Sequence, residues 1–227
     1  MNIEKVTIPV DSEVEVSGII HASPSREEKN RPSVILSHGA GNDMNHPLIV
    51  ALTEGFAAAG MTSLRFNFPY KEKGKKAPDR QPVLEATWLS AYSFFKEHPR
   101  YGNTRIAAAG KSMGGRIASQ LIAEGRMPAS RLILLGYPLH PAGKKDRLRD
   151  AHLNRINIPV LLFAGTRDPL CDLDLMRGIL KGLKTSWTMK VIEGGDHSFK
   201  TPKSSGLSAD AVTRMIVHAS RDWLIQA

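Results

Sequence analysis

The sequence predicts one α/β domain, residues 1–227, built on a mostly parallel sheet with helices packed on both faces. Three observations predict it. Short apolar runs alternate with stretches of helical length along most of the chain. Some of the runs, such as Val34-Ile35-Leu36 within Ser33–Ser37, are continuously apolar and β-branched, the mark of a strand buried on both faces. No internal repeat, low-complexity tract or long linker divides the 227 residues, so one core of ordinary size accounts for them.

The elements follow in order. Ile3–Val10 and Glu13–Ile20 read as paired strands around a turn at Pro9–Ser12, and a polar loop covers Ser23–Arg31. Ser33–Ser37 is the first buried strand. A helix over Pro47–Ala59 ends at Gly60, in the position where a left-handed residue closes a helix. Thr62–Phe66 is a strand. Leu84–Phe95 carries Ala86, Leu89, Ala91, Tyr92 and Phe95 near helical spacing. Arg105–Ala109 is a strand, followed closely by a helix over Met113–Glu124 that Gly125 ends. Arg131–Leu135 and Val160–Ala164 are strands, with a loop and a short helix around Asp146–Leu153 between them. A helix over Leu173–Leu183 leads to the strand Thr188–Ile192. The last helix runs from an N-cap at Ser208 to Ile225, with Asp210 in its first turn. Sheets of this kind place their functional loops at the carboxyl ends of the strands.

Composition narrows the function classes. No apolar run approaches the roughly 20 residues of a membrane-spanning helix, and the first residues lack the apolar stretch of a secretion signal. The lone Cys171 excludes an internal disulfide framework and a multi-cysteine metal site. A cytoplasmic location is expected. The formal charge of +9 raises nucleic acid as a partner, yet the basic residues are scattered, with concentrations only at Lys71–Lys76 and Lys144–Arg149. Neither lies on a recognition helix or among aromatics, so no specific nucleic-acid binding is expected.

The strongest chemical signal is Gly110-Lys111-Ser112-Met113-Gly114, a G-x-S-x-G pattern at a strand-to-helix turn. So sharp a turn strains the serine, lifts its Oγ above the sheet and leaves no room for side chains at the flanking glycines. The alternative is a glycine-rich turn around an ordinary serine. A phosphate-binding G-x-x-x-x-G-K-S reading fails, because Arg105 stands where its first glycine is needed.

A nucleophilic serine needs a base, and the base needs an orienting acid. Asp168 falls just past the strand Val160–Ala164, and His197 just past Thr188–Ile192. Both belong to the sheet edge that carries Ser112. The rival acids are weaker: Asp196 adjoins His197 in sequence, and Asp172 and Asp174 suit the first turn of the next helix. His38 and His140 share the edge but, unlike His197, do not follow both the serine and its acid along the chain. Donors for a tetrahedral oxyanion are expected from the N–H of Met113, after the nucleophile, and of Ala40 in His38-Gly39-Ala40-Gly41. His38, Gly39, Tyr137 and His140 are expected to line the substrate site.

Over nearly its whole length the chain resembles small dienelactone-hydrolase-like members of the α/β-hydrolase superfamily. The resemblance rests on His38–Pro47, Gly110–Gly115 and Gly136-Tyr137-Pro138-Leu139-His140-Pro141. The same segments resemble a branch of little-characterised bacterial hydrolase-like proteins with eukaryotic relatives that include a chromatin-complex subunit. The resemblance implies the α/β-hydrolase fold and an esterase-like Ser112–His197–Asp168 triad, with no metal or cofactor. Dienelactone hydrolases themselves use cysteine where this chain has Ser112, which puts that particular reaction in doubt. The interval Gly136–Ile158 has no room for a large lid, so an open, shallow site is expected. The expected activity is hydrolysis of a small ester or thioester. The basic clusters leave from the same edge and suit anionic substrates. The alternative is an idle hydrolase fold used as a scaffold.

Overall fold

The computed structural model describes residues 2–23 and 31–226. The loop expected over Ser23–Arg31 therefore lies, apart from its two ends, outside the described residues. In chain order the elements are β1 (Asn2–Pro9), β2 (Glu15–Ala22), β3 (Ser33–Ser37), α1 (Pro47–Ala58), β4 (Ser63–Phe66), α2 (Pro69–Glu72), α3 (Gln81–Lys96) and β5 (Ile106–Lys111). Then come α4 (Met113–Ala123), β6 (Arg131–Leu135), β7 (Val160–Gly165), α5 (Leu173–Lys181), β8 (Trp187–Ile192) and α6 (Ala209–Ile225). The strands form one eight-stranded sheet in the order β1-β2-β4-β3-β5-β6-β7-β8. β2 is antiparallel to both β1 and β4, and every pairing from β4 through β8 is parallel.

The central strands feed two cores by strict alternation. Along β5, β6 and β7, Ile106, Ala108, Leu132, Leu134, Val160 and Leu162 pack beneath α3 and α4. Ala107, Ala109, Ile133, Leu135, Leu161 and Phe163 face the opposite way, beneath α1 and α6. Burial on both faces explains why these runs carry no polar alternation in the sequence. Trp88 of α3 is fully enclosed and its indole N–H donates to the Gly114 carbonyl at 3.1 Å, locking α3 onto the first turn of α4. Among the described residues no helix is long and apolar enough to cross a membrane.

Three departures from expectation have local causes. α3 begins three residues early, at Gln81, because Pro82 in its first turn needs no hydrogen-bonded N–H. The one-turn helix α2, with Pro69 at its start, overlaps the beginning of the basic cluster Lys71–Lys76, where no helix was expected. The short helix expected around Asp146–Leu153 is reduced to one 3₁₀ turn, Leu153–Arg155. There the Arg149 N–H is taken by the Leu139 carbonyl at 2.8 Å and its carbonyl by the Tyr137 hydroxyl at 2.5 Å. With both groups committed elsewhere, an i→i−4 ladder cannot propagate through this segment.

Two glycines make opposite predictions. A Cβ on Gly114 would lie 2.2 Å from Ser37 Oγ and 2.5 Å from the His38 carbonyl oxygen, whereas one on Gly178, inside α5, meets nothing within 4 Å. Denaturant unfolding of Gly114→Ala is expected to show a loss of about 3 kcal/mol. Gly178→Ala is expected to gain about 0.5–1 kcal/mol through helix entropy.

Candidate active site

Ser112 is the single residue between β5 and α4, and its backbone is held at φ 49°, ψ −113°. A non-glycine residue there costs about 1–3 kcal/mol, so its surroundings must enforce it. They do so by contact. A Cβ on Gly110 would sit 2.3 Å from the Gly115 nitrogen, and one on Gly115 would sit 2.5 Å from the Gly110 carbonyl oxygen. The Ser112 N–H donates to the Leu135 carbonyl at 3.0 Å, anchoring the turn to β6. Its side chain makes no capping bond to α4, which leaves Oγ free for other partners.

The loops after β7 and β8 are brought together by a second close approach. A Cβ on Gly165 would lie 2.1 Å from the Gly195 carbonyl oxygen, so the end of β7 can touch the β8 loop only as glycine. Thr166 N–H donates to Ile192 at 3.1 Å and Arg167 N–H to Gly195 at 2.9 Å. Across this seam Asp168 Oδ2 lies 2.8 Å from His197 Nδ1, and His197 Nε2 lies 2.7 Å from Ser112 Oγ. The Asp168 side chain is fully enclosed, and its other oxygen accepts from the Leu170 N–H at 2.8 Å. An ionised carboxylate only accepts, so Nδ1 carries the proton and Nε2 is the acceptor for the serine hydroxyl. Such a relay can draw the proton from Oγ as the oxygen attacks an electrophile. The three rival acids are engaged elsewhere. Asp196 accepts from the N–H groups of Ser198 and Lys200, Asp172 caps α5 and pairs with Lys145, and Asp174 pairs with Arg177.

On the other side of Ser112 lies the segment after β3. Gly39 is buried against the elbow, where an added Cβ would lie 3.4 Å from Ser112 Cβ. His38, expected at the substrate surface, is instead fully buried, and burial drops its pKa to about 4. Its Nε2 lies 3.2 Å from the Phe68 N–H and its Nδ1 2.9 Å from the Gly39 carbonyl. Because the first contact requires an acceptor, the neutral ring carries its proton on Nδ1 and donates it to Gly39. The Tyr70 hydroxyl at 3.4 Å and the Asn42 N–H at 3.3 Å reach the same oxygen. In a planar trans peptide the Gly39 carbonyl and the Ala40 N–H point in opposite directions. Fixing the carbonyl therefore fixes where the Ala40 N–H points. The Met113 N–H, at the start of α4, lacks an intrahelical acceptor.

Tyr137 and His140, also expected to line the site, are both enclosed. Tyr137 gives its hydroxyl to Arg149, as described above, and also approaches His152 Nε2 at 3.5 Å. His140 joins the β6 loop to the β7 loop: its N–H donates to Leu170 at 3.0 Å, and its Nε2 accepts from the Asp172 N–H at 3.0 Å. Polar groups at a buried loop must find partners, and these two find them within the protein, chiefly on backbone. A residue not singled out by the pattern is Lys111. It is only 4% exposed, and its Nζ donates to the His197 carbonyl at 2.6 Å. The signal was in the sequence: a lysine closing the apolar and small run that forms β5 (Ile106–Lys111) is an anomaly for a residue type that almost never lies buried. Cys171 is buried, and burial raises its thiol to about 12, so it is no rival nucleophile. Among the described residues no cluster of three or more His, Cys, Asp or Glu side chains could hold a metal ion.

The fold is shared with solved hydrolase structures. A dienelactone hydrolase from Anabaena variabilis superposes with a TM-score of 0.77 at 18% identity, over 99% of this chain and 97% of that one. Est1E from Butyrivibrio proteoclasticus, solved with ferulic acid bound, gives 0.77 at 17% identity over 97% and 98%. An alpha-beta serine hydrolase homologue from Coxiella burnetii gives 0.71 at 16% identity over 100% and 97%. Residues 30–225 match the alpha/beta hydrolase domain family Abhydrolase_11, and the chain belongs to that family.

Proposed function

We propose that the chain is a serine hydrolase of small carboxylic esters or thioesters, working through an acyl-enzyme on Ser112. The observation that carries this reading is the unbroken chain of hydrogen bonds from Ser112 through His197 to the enclosed Asp168. Ser112 Oγ attacks the carbonyl carbon while His197 Nε2 takes its proton, and Asp168 steadies the imidazolium that forms. The negative charge that develops on the carbonyl oxygen meets the N–H groups of Met113 and Ala40, beside the positive end of α4. Collapse of this intermediate expels the alcohol or thiol, protonated by His197. Water then attacks the acyl group, giving its proton to His197, and regeneration of Ser112 releases the acid. The mechanism calls on no metal or organic cofactor. The solved dienelactone hydrolase and the ferulic-acid-bound Est1E support an ester-like substrate class.

The basic loops bear on substrate charge. In the Lys144–Arg149 cluster, Lys145 is paired with Asp172 and the Arg149 guanidinium donates to the Pro138 carbonyl at 3.1 Å. Lys73, Lys75 and Lys76 after α2 are exposed. We assign them to long-range steering of anionic esters rather than to direct contact.

Three measurements check these assignments. A fluorophosphonate probe is expected to label the wild type and to leave Ser112→Ala unlabelled. A folded wild type that resists the probe would instead favour the idle-scaffold reading. Asp168→Asn is expected to lower kcat on the order of 10³–10⁴-fold while leaving the fold intact, because the imidazole loses its fixed tautomer. For matched anionic and neutral esters, the ratio of kcat/KM values is expected to exceed one at low salt and to approach one as salt screens the lysines. A ratio insensitive to salt would remove the steering role.

A further inference from the structure

Lys111 follows Ala107 and Ala109 by strand alternation onto the core face that holds Phe199, Ile192 and α1, and its ammonium lies by the Phe199 ring. Its aliphatic stem is enclosed, and Nζ ends 2.6 Å from the His197 carbonyl oxygen and 5.3 Å from the centre of the Phe199 ring. Among the described residues no carboxylate forms an ion pair with it. The space for this ammonium is itself built. Gly136 adopts φ 67°, and a Cβ there would lie 3.1 Å from Nζ and 3.2 Å from the His197 carbonyl oxygen. Phe199, whose ring faces the ammonium, is held at φ 63°, one of two non-glycine residues with positive φ among those described.

Several groups of the loop carrying His197 pair with one another. Asp196 Oδ1 accepts from Ser198 and Lys200 at 2.7 and 2.9 Å, the Phe199 N–H returns to the Asp196 carbonyl at 2.9 Å, and the Asp196 N–H donates to Lys200 at 3.0 Å. The His197 carbonyl is the group that this turn hands to Lys111. A buried ammonium without an ion pair opposes folding, so core packing alone gives no reason for a lysine here. Its position gives one. Lys111 is covalently next to Ser112 and hydrogen-bonded to the backbone of His197.

We propose that Lys111 is a positioning residue, whose ammonium ties the His197 backbone to the residue before Ser112 and so holds the imidazole within reach of Oγ. The proposal rests on the hydrolase reading above. It also gives the tie a pH range. Burial drops Lys111 to about 8, against the upward pull of Asp168 from the β7 loop and Asp196 from the β8 loop. His46, at the start of α1, is a further titratable neighbour in its field, and His197 faces it through the backbone. The ammonium is present below that value and is lost as pH rises through it. The unfolded chain keeps this proton up to the ordinary lysine value of 10.5, so burying the charge opposes folding below pH 8. That opposition relaxes between about 8 and 10.5. Removing the amine is therefore expected to impair turnover without impairing stability, the reverse of what a structural lysine would do.

The test uses the full chain as wild type, Lys111→Met and Ser112→Ala. It reads p-nitrophenyl acetate hydrolysis across pH 6–10, fluorophosphonate labelling, and the thermal midpoint at pH 7. The expected result for Lys111→Met is a kcat lowered on the order of 10- to 100-fold. KM should stay within about twofold and the midpoint should be unchanged or raised, as expected when an unpaired buried charge is removed. The wild type's fall in kcat above about pH 8 should be absent from the variant. A Lys111→Met protein with wild-type kcat, or one whose kcat loss merely tracks a lowered midpoint, overturns the proposal and leaves the hydrolase reading standing. If the variant does not fold, a wild-type kcat that stays flat from pH 7.5 to 10 overturns it equally. A wild type inert to both ester and probe removes the hydrolase reading, and the positioning role falls with it.

Discussion

The turn between β5 and α4 admits no side chain at Gly110, Gly114 or Gly115, and the rest of the site is arranged around that steric fact. With the backbone of strand and helix so close, Ser112 is forced to positive φ and its Oγ is carried off the helix axis, where it cannot cap α4. The strain is held by two cores, one on each face of the sheet, which fix β5 between β3 and β6. Gly165 against Gly195 repeats the device farther along the same edge. One contact presents the hydroxyl, and the other brings His197 and Asp168 within hydrogen-bond range of each other and of it.

Around these contacts the loops are held by buried polar side chains spent on backbone. His38 fixes the Gly39 carbonyl, His140 links the β6 and β7 loops, Tyr137 closes the segment before the 3₁₀ turn, and Lys111 reaches the His197 carbonyl. Each sits beside the Ser112–His197–Asp168 hydrogen-bond chain and not in it. These enclosed hydrogen bonds tie the loops of the carboxyl edge to one another from beneath. The same arrangement concentrates titratable groups with shifted pKa values near the site for structural reasons, with His38 and Lys111 both pulled down by burial.

The sheet and the Ser112–Asp168–His197 relay were legible in the sequence because each depends on spacing. Buried parallel strands announce themselves as apolar runs, and whatever follows them falls on the carboxyl edge. The direction of a loop side chain is not set by spacing, and this is where His38, Tyr137 and His140 were misplaced. A strand's period says that a residue reaches the edge; it does not say whether the ring turns into the pocket or into the core. Lys111 shows the opposite failure. Its burial followed from the strand it ends, but the motif treats its position as arbitrary. The short helix around Asp146–Leu153 was misread because side-chain and long-range backbone bonds to Arg149 outcompeted helical ones, a competition invisible to local pattern.

The account turns on Ser112 forming a covalent bond to the acyl group under the control of His197. Wild-type protein quenched in acid during turnover of an activated acetate ester, then digested and weighed by mass spectrometry, tests this directly. The account predicts one acetyl group on the peptide containing Ser112, accumulating to at most one per chain, and none in His197→Ala. An acetyl group found only on lysines, or turnover that proceeds with Ser112 never modified, would contradict it.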